Sequence, residues 1–375
     1  MRNAIRPSVA RLPLFGNLPT ADGLAASASS TALLHLNECP YPPSPKVIAA
    51  IQEHAAGLNR YAEPRPEKLS AMLAERTSIP AGRIVIGNGS DEILALISVM
   101  TLEAGDNAIM PTPSFPRYRI AAAMQGAEAR LVGLKADGSN DVGALLAAID
   151  DKTRVVYACT PNNPSGAPMS PADIETLVHG VPEHVLLIMD EAYVEFDQFE
   201  GGAGALPILQ RRKGLWASTR TFSKAYALAG LRIGYALCGS LDVAESLVKV
   251  KTNFNLNRLA VHAAIAALED QAYSDTCIAA AVGERERLAA RLNGLGFRTL
   301  PSRANFISFD LGRNSVPVMG AMAARGVLVR EWRDPGFETF MRISIGLPAE
   351  NDRAFETLTA SLSAGVGSER PPEAL

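Results

Sequence analysis

The segment "TFSKAYALAGLRIG", residues 221 to 234, sets Lys224 among small residues and places Arg232 eight positions later. A lysine amine held in apolar surroundings gives up its proton more readily and becomes a nucleophile or a proton carrier. Beside it stand Thr221 and Ser223, small hydroxyl residues of the kind that bind phosphate. Four further segments carry polar residues where an apolar run stops. In "GNGSDEILALI", Gly87 and Gly89 make a turn and Ser90 and Asp91 begin a helix, whose exposed N–H groups favour an anion. In "MPTPSFPRY", Phe115 offers a flat apolar face to an aromatic ligand. "ACTPNNPSGAPMS" doubles an asparagine, Asn162 and Asn163, in a Pro/Gly-rich turn. In "LLIMDEAYVEF", Asp190 ends an apolar strand, where an ionised carboxylate needs a cation such as a protonated heterocyclic nitrogen. Tyr193 follows as a donor to a phenolate oxygen. Taken singly, each has a plain structural reading as well: surface lysine, helix cap, core aromatic, turn, or strand-end acid that caps a helix or binds a metal.

These residues need elements to hold them. From about residue 46 onward, "RIVIG", "NAIMP", "EARLVGL", "TRVVYAC", "HVLLIMD", "LWASTRT" and "LRIGYALC" read as strands. The helical patterns "PKVIAAIQEHAA", "SDEILALISVMTL", "FPRYRIAAAMQGA", "DVGALLAAID", "SPADIETLVHG" and "LPILQRRKG" alternate with them. Continuous Val, Ile and Leu strands separated by helices predict an α/β fold with a mainly parallel sheet between helices. Ligands of such sheets collect at the carboxyl ends of strands, where the polar segments fall. After "LDVAESLVKVKTNFNLN" the texture changes to Ala- and Leu-rich helices from Arg258 to about Gly296. The short strands "RTLP", "NFISFDL", "VLVRE" and "FMRISIG" and a closing helix "NDRAFETLTASLSAG" follow, which suits a smaller α+β unit.

Charge and cysteine usage narrow the partners. With 36 Lys and Arg against 39 Asp and Glu, the net charge of -3 supplies neither a nucleic-acid footprint nor a polybasic membrane patch. A small-molecule partner is therefore expected. Cys39, Cys159, Cys238 and Cys277 form no C-x-x-C pair, which points to a reducing compartment, the cytoplasm, and to no metal site. No run of about 18 apolar residues is present, so no transmembrane helix is expected. The first thirty residues read as an irregular arm without the apolar core of a signal peptide, and "GSERPPEAL" as a low-complexity tail.

"TFSKAYALAG" resembles the signature of class II pyridoxal-phosphate-dependent aminotransferases. "LNECPYPPSPKV", "RYAEP", "GNGSDEIL", "PNNPSG", "MDEAY", "RTFSKAYALAGLRIGY", "ANFI" and "VREW...MRISIG" stand in the order of the fold-type I aminotransferases. The likeness is greatest to the histidinol-phosphate aminotransferase branch and runs from about Leu36 to Ala364. It implies an N-terminal arm, 1–45, partly joining the small domain; a large cofactor-binding domain, 46–255; and a small C-terminal domain, 256–375. The implied cofactor is pyridoxal 5'-phosphate, attached covalently to Lys224, whose freed amine carries a proton during catalysis. Arg232, Thr221, Ser223 and the backbone at Gly89, Ser90 and Asp91 would hold its phosphate. Asp190 would pair with the ring nitrogen, Asn163 and Tyr193 with the phenolic oxygen, and Phe115 would stack on the ring. Tyr61 would reach the cofactor of a neighbouring subunit, which implies a homodimer with shared sites. Arg342 would hold a substrate α-carboxylate, with Asn37, Asn163 and Arg330 in the same neighbourhood. The implied reaction exchanges an amino group between an amino donor, histidinol phosphate foremost, and a 2-oxo acid.

Two departures from the family pattern bear on substrate. "KTNFNLNRLA" puts Asn253 before Phe254 and Arg258 after Asn257, and the arm "RLPLFGNLPTADGLAASASS" replaces the usual short opening. An aminotransferase for another amino acid, for example an aromatic one, stays open, as does a phosphothreonine-type decarboxylase on the same scaffold. A pyridoxal-phosphate-sensing regulator would carry a DNA-binding domain in front, whereas 35 residues precede the first motif here.

Overall fold

The structure, a computed structural model, describes residues 4–12 and 31–366. Strands run in chain order as β1 (Ala32–Leu33), β2 (Ile84–Gly87), β3 (Asn107–Thr112), β4 (Glu128–Gly133), β5 (Thr153–Cys159), β6 (Leu186–Asp190), β7 (Trp216–Thr221) and β8 (Gly234–Cys238). They continue as β9 (Arg298–Thr299), β10 (Phe306–Asp310), β11 (Val327–Leu328), β12 (Arg330–Glu331) and β13 (Phe340–Ser344). The main sheet has the order β2-β8-β7-β6-β5-β3-β4, and all its strands are parallel except β8. The expected α/β class and mainly parallel sheet are therefore present.

Alternation along the central strands explains how the sheet is buried on both faces. Val155, Tyr157 and Cys159 of β5 enter one core, while Val156 and Ala158 enter the other. Leu186 and Ile188 of β6 join the first of these cores, and Leu187 and Met189 the second. Each such aliphatic side chain contributes roughly 1.5–3 kcal/mol of transfer free energy. The carboxyl ends of β2, β3, β5, β6 and β7 all lie on one edge, together with the amino end of antiparallel β8. That edge carries the site.

A second, antiparallel sheet has the order β12-β13-β10-β9, and β1 pairs in parallel with β11. Several expectations change in detail. "VLVRE" is two strands in two sheets rather than one strand, because Val329 separates β11 from β12. "LRIGYALC" starts its strand only at Gly234, since Ala229–Leu231 form a 3-10 turn and Arg232 is left-handed at φ 53°. "LPILQRRKG" is helical over Leu206–Leu209 only. The helices Glu67–Thr77 and Ser315–Ala323 were not expected. The arm is not wholly irregular: Pro7–Ala10 is a short helix with proline at its first turn. Residues 13–30 and the "GSERPPEAL" tail lie outside the described residues.

Candidate active site

Strand parity places the floor of the site. Asp190 continues the face of Leu186 and Ile188 and is 3% exposed. That face packs on Tyr118, in the first turn of the helix Arg117–Gln125, which stacks on Tyr157 with ring centroids 4.8 Å apart. The Tyr118 hydroxyl donates to Asp190 Oδ2 at 2.6 Å. Asp190 Oδ1 has no partner, and the neighbouring Thr219 hydroxyl, also unpaired, does not complete a bond to it. Burial raises the Asp190 carboxyl to about 6 despite the opposing Tyr118 hydrogen bond. A buried carboxylate oxygen left orphaned is costly, and a cationic N–H donor would relieve it.

The wall at β7, β8 and β2 is built for an anion. Gly89, at φ +84°, is the N-cap of the helix Ser90–Thr101, and a Cβ built on it would lie 2.4 Å from Arg232 Nη2. Gly234 lets the chain pass Ser90, whose amide nitrogen would stand 2.5 Å from a Cβ there. Arg232 Nη1 donates to the Ala229 carbonyl at 3.1 Å and to Ser223 Oγ at 3.4 Å. The Thr221 and Ser223 hydroxyls are linked at 3.0 Å. Guanidinium, two hydroxyls and a helix start thus converge. Holding Arg232 in the left-handed region costs on the order of 1–3 kcal/mol, strain of the kind kept at functional sites. The Asp91 carboxylate is taken up by a bidentate pair with Arg117, at 2.7 and 2.6 Å, so only the backbone of Asp91 is available.

Between floor and wall stands Lys224, whose amine donates to the Leu36 carbonyl at 3.1 Å. Burial, reinforced by the Arg342 and Arg232 charges, lowers it to about 8. Segment 34–37 is strapped along β13 and faces this amine: Ser344 N bonds to the Leu34 carbonyl at 2.9 Å and Arg342 Nη2 to the His35 carbonyl at 2.7 Å. Asn37, left-handed at φ 53°, exchanges bonds with Ser344 through its own N and Oδ1. Its Nδ2 donates to the Tyr193 hydroxyl at 3.0 Å, and burial pushes that phenol up. The doubled asparagine divides its labour. Asn162 is spent inside the turn on Ser114, Pro113 and Ser165, whereas Asn163 faces Arg342, its Oδ1 accepting from Nη1 at 2.5 Å.

One cavity of about 630 Å³ gathers Asn37, Ser90, Asp91, Phe115, Asn163, Asp190, Tyr193, Thr221, Ser223, Lys224, Arg232, Arg330 and Arg342. Gly89 sits behind Arg232, and Tyr61 lies elsewhere, 75% exposed and stacked on Phe254 at 4.4 Å. Arg258 is also remote, packed against Gly57. Of the arginines lining the cavity, Arg117 pairs with Asp91 and Arg333 with Glu331. Arg232, Arg330 and Arg342 have no carboxylate partner among the described residues. Burial lowers Arg342 to about 10 and also lowers Arg330. The cross-strand register sets Arg330 directly beside Arg342, a like-charge pairing that destabilises a bare sheet. Three arginines without a carboxylate partner and an orphaned acid oxygen fit a phosphorylated heterocyclic cation together with an anionic substrate. Tyr118 was not foreseen as part of this site; its signal is a tyrosine three residues beyond Phe115, on the first turn of a sheet-facing helix.

No group of His, Cys, Asp and Glu among the described residues is arranged to hold a metal ion. No helix among them is long and apolar enough to cross a membrane.

The family model for aminotransferase class I and II matches residues 31–358. The chain belongs to the class I and II aminotransferases. Within this family it is 41% identical, over 87% of its length and 88% of the relative's, to histidinol-phosphate aminotransferase 2 of Pseudomonas fluorescens Pf-5. It is 38% identical to the histidinol-phosphate aminotransferase of Shouchella clausii, over 85% of this chain and 86% of that one. The crystal structure of histidinol-phosphate aminotransferase from Sinorhizobium meliloti, in complex with pyridoxal-5'-phosphate, superposes with a TM-score of 0.87. That match has 29% identity and covers 98% of this chain and 99% of the other. The fold is thus fold-type I, and the motif order in this aminotransferase is that of the histidinol-phosphate branch.

Proposed function

We propose that this aminotransferase exchanges an amino group between histidinol phosphate and a 2-oxo acid, with pyridoxal phosphate as cofactor. The carrying observation is the set of three arginines, without a carboxylate partner among the described residues, in one cavity with Lys224 and Asp190. Arg232 serves the cofactor phosphate with Thr221, Ser223 and the backbone of Gly89, Ser90 and Asp91. Arg330 and Arg342 serve the substrate's anions: a phosphate when the donor is bound, carboxylates when the acceptor is bound. Asp190, held by Tyr118, pairs with the ring nitrogen; Asn163 and Tyr193 face the phenolic oxygen, and Phe115 covers the ring.

Bound pyridoxal phosphate supplies an electron sink for the pair left on the substrate carbon when its proton departs. Lys224, lowered to about 8, has an accessible neutral amine with which to attach the cofactor and then to remove and return that proton. Asn37 fixes the Tyr193 hydroxyl, and the strap at 34–37 keeps the Lys224 amine between Leu36 and the cavity.

Tyr61 supports a homodimer in which it completes the neighbour's site, because it lies outside its own chain's cavity. The same reading divides the chain into an arm at 1–45, a large domain at 46–255 and a small domain at 256–375. It is supported by a main sheet confined to residues 84–238, a second sheet confined to 298–344, and the arm's β1 pairing with β11. A cytoplasmic location accords with a free-thiol chain of ordinary charge.

A half-reaction screen tests the substrate. Histidinol phosphate should convert the bound cofactor's absorbance to that of its aminated form faster than any amino acid in a panel that includes the aromatic ones. Preference for an aromatic amino acid would leave the family intact and remove this donor, and carbon dioxide release without an acceptor would indicate decarboxylation.

A further inference from the structure

Beyond the paired arginines, β12 leads the chain to Trp332. The register sets Arg330 opposite Arg342 and Glu331 opposite Met341, and Trp332 follows directly after the strand. Its amide donates to the Phe340 carbonyl at 3.3 Å, and the two rings stack with centroids 4.7 Å apart. Phe337 tilts against the indole at 5.4 Å and against Phe340 at 5.5 Å, so the three rings form one aromatic cluster. Trp332 lines the active-site cavity, yet it is only 4% exposed and its Nε1 is buried with no hydrogen-bond partner. An indole N–H in that state is a donor without an acceptor, and a tryptophan so placed normally finds one. The neighbouring Arg330 likewise has no carboxylate partner at ion-pair distance among the described residues, and Glu331 next to it is bonded to Arg333 at 2.5 Å. Arg342 donates to the His35 carbonyl and Lys224 to the adjacent Leu36 carbonyl, which puts that arginine at the reacting end. Trp332 stands two residues beyond Arg330, just past the end of β12.

We infer that Trp332 is a specificity-determining residue: its indole N–H, with Arg330, binds the phosphate monoester at the far end of the amino donor. The inference rests on the reading that the donor carries a phosphate. Trp332 selects for that group because a dephosphorylated donor leaves both the N–H and the guanidinium unanswered, a difference larger than the loss of an apolar contact. Packing in the cluster with Phe337 and Phe340 holds the indole before substrate arrives, so little side-chain entropy is lost on binding.

The test uses Trp332→Phe holoenzyme, which keeps an aromatic ring in the stack and removes only the donor. KM for histidinol phosphate should rise roughly tenfold or more, the worth of a hydrogen bond to a charged group, with kcat affected less than KM. KM for histidinol should rise far less. Equal losses for both donors, or no rise for histidinol phosphate, would overturn the inference. A second readout needs no turnover: the chain has two tryptophans, so an indole N–H correlation spectrum of the holoenzyme holds two signals. Inorganic phosphate or histidinol phosphate should shift the Trp332 signal and leave that of Trp216, assigned independently with Trp216→Phe. A Trp332 signal that stays in place refutes the site even if histidinol phosphate proves not to be a substrate. Failure of wild-type turnover combined with a phosphate-induced shift would refute the donor and uphold the anion site.

Discussion

Tyr118→Phe isolates one oxygen and asks how much of the Asp190 function it supports. The change keeps the ring stacked on Tyr157 and removes only the donor that sits 2.6 Å from Asp190 Oδ2. A hydrogen bond to an ionised carboxylate contributes about 1.5–3 kcal/mol, and about 1.4 kcal/mol corresponds to one pKa unit. Loss of the bond should therefore move the Asp190 carboxyl upward by about 1–2 units from its wild-type value of about 6. Asp190 would then be half or more protonated in the free variant at neutral pH and would have to lose that proton before pairing with a ring cation. The assay is cofactor affinity as a function of pH, measured by equilibrium dialysis of the apoenzyme. In wild type, affinity should fall as pH drops below about 6; in the variant, the break should move up by about 1–2 pH units, with weaker binding at pH 7. The reverse change in fold stability accompanies it. A carboxyl raised from 3.8 to about 6 binds its proton more tightly when folded, so the apoenzyme loses stability as pH rises through that window. An unmoved break, with the variant folded and its Tyr157 stack intact, would refute the claim that Tyr118 sets the charge of Asp190.

Three further outcomes follow from the same geometry. Cofactor attachment to apoenzyme should speed up about tenfold per pH unit up to about 8 and then level off, because the Lys224 amine is lowered to that value. Stopped-flow absorbance reads this rate, continued acceleration to pH 10 would contradict the lowering, and Lys224→Ala should show no attachment at any pH. Arg342→Lys keeps a charge but loses the fork that engages Asn163 and the His35 carbonyl, so KM for the 2-oxo acid should rise roughly ten- to a hundredfold. Equal KM values would remove Arg342 from the carboxylate site. Gly89→Ala forces a Cβ to within 2.4 Å of Arg232 Nη2 at a φ of +84°, so cofactor affinity should fall while the free protein's melting point changes modestly. Undiminished affinity in a dialysis titration would show that Arg232 does not depend on that close approach.

Much of the fold was legible because it is written in local periodicity. The runs "RVVYAC" and "LLIMD" alternate between two cores, and that parity alone carries Asp190 to the strand end. The helix start at Ser90 and the turn around Asn162 and Asn163 were legible for the same reason, since glycine, proline and capping residues act within a few positions. Elements with weak patterns escaped. The helix Glu67–Thr77 is rich in charge, and "VLVRE" gives no local sign that its two halves join different sheets. That choice depends on β1, far earlier in the chain, and on β13, which returns after a loop to pair with β12.

The sequence by itself determined the cast of the site: a lysine among small residues, an arginine eight places on, an acid at the end of an apolar strand, and two arginines near the carboxyl end. Tertiary structure decided which of them are free to act. Arg117 and Arg232 look alike in sequence, yet Asp91 occupies the first while the second has no acid beside it. Tyr118 meets Asp190 across 72 residues, and Arg342 meets the strap at His35 across 307. Register alone puts Arg330 beside Arg342, and the Trp332 ring stacks on Phe340. The physical reason is range. Propensity and periodicity act over a few neighbours in the chain, whereas charge pairing and hydrogen-bond saturation are settled among groups that only the packed fold makes adjacent.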